Sequence, residues 1–193
     1  MKLGVRISAI CVAVLLAVYY FYGFSTIIAF IASACVHEIG HIVGVVLFGG
    51  KIKSIHLEIG GFSMDGAGLA SRMGEIVAIL LGPMFGLGLA ALCCNFSFGK
   101  YDYVFKLMGQ ISLWLSAYNL LPAMPLDGGR IAERLLSTRI RREKREKILE
   151  AFGVFSGVFA ALSGIFSARY IFVGGGICLL IAQTGIVKRK RVL

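Results

Sequence analysis

Apolar residues dominate the chain in six runs, which are separated by short segments rich in Lys, Arg and Gly. Each run is long enough to cross the roughly 30 Å hydrocarbon core of a bilayer as a helix, which takes about 20 residues. The pattern predicts an all-α polytopic membrane protein with about six transmembrane helices, at residues 5–23, 25–48, 74–96, 104–121, 151–167 and 170–187. The first run is too long for the apolar region of a signal peptide and lacks a clear cleavage site, so we interpret it as a span.

Two segments between the spans follow other patterns. In KIKSIHLEI, residues 51–59, apolar and polar residues alternate, which predicts a short membrane-associated β-strand or hairpin between spans 2 and 3. Residues 131–150 place apolar side chains at helical spacing among charges, which predicts an interfacial amphipathic helix, with a docking surface for a regulator as the alternative.

Composition agrees with this interpretation, since 58% of the 193 residues are hydrophobic and the mean hydropathy is +0.86. With both termini in the cytoplasm, 17 of the 20 Lys and Arg residues lie in segments on the cytoplasmic side. The net charge of +10 is therefore explained by membrane topology and by contact with lipid headgroups, so no nucleic-acid partner is expected.

The second span carries the sequence HEIGH at residues 37–41. His37 and His41 are four residues apart, so they lie on one face of a helix and can hold one metal ion through their imidazoles. Glu38 lies beside the first of them, where it can act as a general base on the hydrolytic water. Because ionisable residues at membrane depth are costly and usually functional, the pattern favours a metal centre over two satisfied core histidines.

A catalytic zinc ion usually has three protein ligands, so a third is needed. His56 and Glu58 fit the polar face of the predicted strand better than a metal site, and Glu75 and Asp102 lie at the ends of spans. Asp127 differs, because it follows two prolines in NLLPAMPLDGGR that break the fourth span at membrane depth. Non-helical backbone is tolerated there only where it is packed in protein or lines a cavity, so Asp127 is the preferred candidate.

These motifs together carry a resemblance to a known family. HEIGH, the Gly82-Pro83 pair in the third span and the segment from Asn119 to Gly129 resemble the site-2 protease family of intramembrane zinc metalloproteases. Within that family, the chain is most similar to the small bacterial branch related to stage IV sporulation protein FB.

The resemblance implies that His37, His41 and Asp127 hold one zinc ion per chain and that Glu38 is the catalytic base. It also implies that Asn119 binds the substrate near the scissile peptide, although from the residues alone Asn119 equally fits a helix-packing amide. The expected organisation is a single protease domain, 1–193, with its catalytic core at about 25–130 and without a PDZ or CBS domain.

The implied function is hydrolysis of peptide bonds in or near transmembrane segments, in a bacterial cell membrane that the chain crosses several times. Membrane-associated peptides are the expected substrates, and a regulatory membrane partner is an open question. Two alternatives remain at this point, namely a metal or proton transporter and a catalytically silent scaffold.

Overall fold

The computed structural model of the chain describes residues 5–7, 16, 19–58, 61–67, 71–166 and 180. For residues 5–7, 51–58, 61–67 and 160–166 it describes the backbone alone. The chain forms two compact units, residues 1–119 and 120–193.

The first unit contains three mutually packed helices, which are α1 (Phe24–Leu47), α2 (Arg72–Asn95) and α3 (Asp102–Asn119). Both α1 and α2 are long and apolar enough to cross a membrane, with mean hydropathies of 1.8 and 2.3 in their most apolar windows. These three helices occupy the positions of predicted spans 2, 3 and 4. A 3-10 turn, Gly99–Tyr101, joins α2 to α3.

A three-stranded sheet completes the first unit, with strands β1 (Val5–Ile7), β2 (Lys51–Glu58) and β3 (Gly61–Ala67). Strand β2 is central, since it pairs in parallel with β1 and antiparallel with β3. Strands β2 and β3 therefore form a hairpin between α1 and α2. Its association with the membrane surface stays a prediction.

The start of the first predicted span, 5–23, is wrong, because residues 5–7 form a strand. Val5 and Ile7 lie opposite Ile55 and Leu57 of β2, and β-branched residues suit a strand as well as an apolar helix. Hydropathy alone does not distinguish the two. The sixth predicted span, 170–187, lies outside the described residues apart from residue 180.

The packed faces of the helices in the first unit are small and polar. On α1, the buried residues follow one face at helical spacing: Ala29, Ser33, His37, Gly40, His41 and Gly44. The other side of α1 exposes Ile28, Ile31, Ile39 and Val46. A soluble helix has the opposite arrangement, whereas close contact through small residues with apolar side chains outward is typical of helices packed in lipid.

Polar side chains link these helices at depth. The buried Ser33 hydroxyl donates to the carbonyl oxygens of Ala29, at 2.8 Å, and of Met108 on α3, at 3.1 Å. Similarly, the Ser112 hydroxyl on α3 donates to the Gly86 carbonyl oxygen on α2, at 2.9 Å. Each such bond satisfies a hydroxyl that would otherwise be buried without a partner, and in membranes it contributes about 0.6 kcal/mol.

The second unit contains α4 (Asp127–Leu136) and α5 (Arg142–Phe166), which contact each other. The prediction of one interfacial helix over 131–150 followed by a separate span at 151–167 is wrong in its boundaries. Helix α4 ends at Leu136, where the hydroxyls of Ser137 and Thr138 bond to the carbonyl oxygens of Arg134 and Leu135, at 2.7 and 2.9 Å. Such bonds compete with the helical pattern, and α5 then continues without a break from charged into apolar sequence.

The Asp102 carboxylate stabilises the first turn of α3. Asp102 accepts hydrogen bonds from Lys106, at 2.6 Å, and from the backbone N–H of Phe98, at 3.3 Å. The hydrogen bond from Lys106, followed by that from Phe98, holds the pKa of the Asp102 carboxyl below its ordinary value.

We predict that Asp102→Asn lowers the thermal unfolding midpoint at pH 7, and that this loss shrinks as the pH falls below about 4. A carboxyl whose pKa is lowered by folding stabilises the protein above its ordinary pKa of about 3.9, and this contribution is lost as the pH falls through the folded value. Thermal unfolding of the wild type, Asp102→Asn and Lys106→Gln across this range is the measurement. A difference that does not change with pH would contradict the assignment.

Candidate metal centre

The candidate site is built on a single helix, α1, and is positioned by its neighbour α2. His37 and His41 lie one turn apart on the buried face of α1, with 3% and 8% of their surfaces exposed. Their rings meet edge to face, with centroids 4.9 Å apart. Glu38, the next residue around the helix, brings a carboxylate oxygen close to both rings, so that the three ligand atoms lie within 4.8 Å of one another.

A backbone carbonyl of α2 selects the tautomer of the neutral His41 ring. The Nδ1 atom of His41 lies 3.1 Å from the carbonyl oxygen of Ala78. A carbonyl oxygen can only accept, so Nδ1 carries the proton and donates it, which leaves Nε2 unprotonated in the neutral ring. Metal-binding histidines commonly donate their second nitrogen in this way.

The spacing of the two imidazoles fits a metal ion. The Nε2 atoms of His37 and His41 are 3.2 Å apart. Two nitrogens that each lie about 2.0–2.1 Å from one tetrahedral zinc ion are about 3.3 Å apart. The two nitrogens are within hydrogen-bonding distance of each other, and their spacing is also close to that of two corners of a zinc site.

Close approach of α1 and α2 makes the bond to Ala78 possible. A Cβ atom on Gly44 would lie 2.5 Å from the Ala78 Cα, and one on Gly40 would lie 2.9 Å from the Gly82 Cα. Both distances are too short for real side chains, so only glycine is compatible with this helix contact. The sequence does not reveal the Ala78 carbonyl, because a backbone acceptor on another helix leaves no mark in the sequence.

Asn119, the predicted substrate-binding residue, is the last residue of α3 and is partly buried. Its side-chain amide donates to the Leu115 carbonyl oxygen of its own helix, at 3.1 Å. Its role in substrate binding stays a prediction.

Asp127, the predicted third ligand, is the first residue of α4 and is 6% exposed. As predicted, the chain is not helical between Asn119 and Asp127, and the Met124–Pro125 peptide bond is cis. The chain folds back on the start of α4, since a Cβ atom on Gly128 would lie 2.5 Å from the Leu121 carbonyl oxygen and one on Gly129 would lie 2.5 Å from that of Ala123. The two glycines after Asp127 are therefore required by this turn, while ligation by Asp127 stays a prediction.

Comparison with known proteins gives the family. The model of peptidase family M50 matches residues 96–162. A zinc metalloprotease of Methanocaldococcus jannaschii is 31% identical over 73% of this chain, and stage IV sporulation protein FB of Bacillus subtilis is 29% identical over 58% of it. The chain belongs to peptidase family M50, the site-2 proteases.

The fold is that of a solved site-2 protease. The structure of the site-2 protease from Methanocaldococcus jannaschii matches with a TM-score of 0.72 and 22% identity, over 96% of this chain and 92% of that one. The two curated relatives are longer proteins, since the matched regions cover 43% and 41% of their lengths. Site-2 proteases are zinc metalloproteases embedded in membranes, which agrees with the His37–Glu38–His41 group and with the two apolar helices.

We predict that His37→Gln and His41→Gln each reduce the zinc content of the purified chain from about one ion to near zero. Glutamine is similar in length but does not offer an imidazole nitrogen to the metal. Elemental analysis of protein purified in detergent is the measurement. The control is Gly88→Ala, since a Cβ atom at Gly88 meets nothing within 4 Å. Retention of zinc in either glutamine variant would contradict the assignment of that ligand.

Proposed function

We propose that the chain is an intramembrane zinc metalloprotease that hydrolyses peptide bonds in or near the transmembrane segments of its substrates. The observation that carries this proposal is the pair of Nε2 atoms 3.2 Å apart, with Glu38 beside them and His41 oriented by Ala78. A structural histidine pair needs no neighbouring carboxylate, whereas peptide hydrolysis needs a base at this place.

In this mechanism, His37 and His41 would hold the zinc ion, and we propose Asp127 as the third ligand. Zinc, when bound, polarises the peptide carbonyl and makes water a stronger nucleophile at neutral pH. Glu38 accepts a proton as the water oxygen attacks the carbonyl carbon. It then gives the proton to the amine nitrogen as the C–N bond breaks, so that one fragment ends in a carboxylate and the other in an amine.

The substrate is proposed to be a single transmembrane segment or a membrane-associated peptide. Every peptide bond in a membrane helix is already hydrogen-bonded, so the substrate has to unwind locally before a carbonyl group can react. In the proposed topology, the chain crosses a bacterial cell membrane several times with both termini in the cytoplasm. His41 lies six residues before the end of α1 at Leu47, about 9 Å along the helix axis, so the centre is buried but close to one end of its helix.

We predict that wild-type protein cleaves members of a panel of single-span peptides, whereas Glu38→Gln binds about one zinc ion and cleaves none. Glutamine keeps the shape of Glu38 but cannot accept a proton. Asp127→Asn in the same panel is expected to lose both zinc and cleavage, and Asn119→Leu to lose cleavage alone. Peptide fragments are measured by mass spectrometry and zinc by elemental analysis of the same samples.

The results of this panel separate the proposal from its alternatives. Cleavage by Glu38→Gln at the wild-type rate would exclude Glu38 as the base. Zinc flux into proteoliposomes without cleavage by the wild type would favour a transporter. Zinc binding with neither activity would favour a scaffold. Full zinc binding by Asp127→Asn would remove Asp127 from the ligand set.

An edge strand of the three-stranded sheet is a candidate binding site for the substrate backbone. We propose that an unwound substrate segment pairs with β3. Strand β2 has β1 on one side and β3 on the other, so it cannot accept a further strand. Among the strands that the structure describes, β1 and β3 each have one unpaired side, and β3 is the longer, with 7 residues against 3, so it offers more backbone for β-augmentation.

We predict that one of the two variants Ser63→Pro and Met64→Pro keeps the thermal unfolding midpoint of the wild type but loses cleavage. Ser63 and Met64 are neighbours in β3, opposite His56 and Ile55, so their N–H groups point to opposite sides of the strand. Proline at one position removes a bond to β2, and at the other it removes a donor from the free edge. Loss of cleavage only in the destabilised variant, or in neither, would contradict substrate pairing with β3.

A further inference from the structure

Gly82 lies directly against the ring of His41. A Cβ atom built on Gly82 would collide with Cε1, Nε2 and Cδ2 of the His41 imidazole, and these are its three nearest atoms. Nε2 is the nitrogen left unprotonated in the neutral ring by the bond to Ala78, so it is the atom available to a metal ion. The absence of a side chain at residue 82 thus provides the space in which the ligand nitrogen of His41 lies.

Ala78 and Gly82 act on His41 from one face of α2. They are four residues apart, so they lie one turn above the other. The Ala78 carbonyl accepts the proton of Nδ1 on one edge of the ring, and the bare backbone of Gly82 lies against the opposite edge. With the hydrogen bond to Ala78 alone, the His41 ring could rotate about the line from Nδ1 to the carbonyl oxygen. The contact with Gly82 restricts that rotation.

Other glycines of α2 have different neighbours, which makes Gly82 distinct. A Cβ atom on Gly86 would collide with the hydroxyl of Ser116 on α3, and one on Gly88 would meet nothing within 4 Å. All three lie in the same helix, so alanine at each position has the same effect on helix propensity. Only alanine at residue 82 would displace a metal ligand.

We propose that Gly82 is a positioning residue for the metal centre, because its missing side chain sets the orientation of the His41 imidazole at which Nε2 meets the metal. This inference rests on the proposed function and assigns to Gly82 a role beyond helix packing. Any side chain at residue 82 would displace the His41 ring from its present position. The bond to Ala78 and the 3.2 Å spacing of the Nε2 atoms then cannot both be kept.

The first test is zinc affinity, measured on the full chain in detergent by competition with a chelating dye. Gly82→Ala is expected to weaken zinc binding about 10–100-fold, the range found when the groups that orient metal ligands are altered. Gly86→Ala overpacks the same helix against Ser116 and is expected to lower the unfolding midpoint while leaving zinc affinity within about twofold of wild type. Gly88→Ala is expected to change neither quantity.

The second test is thermal unfolding of the metal-free chain, so it does not depend on zinc. Gly82→Ala is expected to lower the unfolding midpoint in the wild-type background, and to lower it much less in the His41→Ala background, where the ring has been removed. If Gly82→Ala does not fold, the double variant with His41→Ala is expected to fold.

Two results would overturn the inference. The first is wild-type zinc affinity in Gly82→Ala, or an equal loss of affinity in Gly86→Ala. The second is an equal cost of Gly82→Ala with and without the His41 ring. A wild-type chain that binds no zinc would instead contradict the proposed function, while the metal-free measurement would still decide whether Gly82 positions His41.

Discussion

The hydrogen bond from His41 to the Ala78 carbonyl is the interaction on which the metal centre depends. Ionisable groups are expensive inside apolar helices, and they are retained where a partner stabilises one defined state. The bond makes Nδ1 the donor of the His41 ring and leaves Nε2 unprotonated in the neutral ring. It requires α1 and α2 to approach almost backbone to backbone, which Gly40 and Gly44 allow. The close packing of α1 against α2 therefore also sets the orientation of the His41 ring in the candidate site.

The same constraint explains the composition of the helix contacts. Lipid is as apolar as leucine, so burying leucine between helices gives little advantage over leaving it in the bilayer. Helices in such a solvent associate through close van der Waals contact and interhelical hydrogen bonds. Glycine, alanine and serine accordingly make up most of the buried faces of α1, α2 and α3, while larger apolar and aromatic side chains face outward. Because these buried faces carry small side chains, they also leave space for the imidazole rings of His37 and His41.

Backbone carbonyls shape both regions that carry the candidate residues. In the first unit a carbonyl orients His41. In the second unit the carbonyls of Leu121 and Ala123 lie against Gly128 and Gly129, so the first turn of α4 is held under the turn that precedes it. Asp127 sits at this helix start, where the helix dipole favours a negative charge. Glycine is needed at the two positions after Asp127 because a side chain there would clash with the carbonyl groups of the preceding turn.

The sequence by itself determined the apolar character and the positions of α1, α2 and α3, and it predicted the grouping of His37, Glu38 and His41, because each depends on local spacing. Apolar runs have a length that a helix must match, and HEIGH puts its imidazoles on one face whatever surrounds them. It did not determine that Val5–Ile7 joins a sheet or that α5 runs unbroken from Arg142, since apolar strands and helices look alike over short windows. Only the tertiary structure decided what surrounds His41. The Ala78 carbonyl and the bare Cα of Gly82 lie about 40 residues away along the chain, and contacts made by backbone atoms depend on how two helices dock.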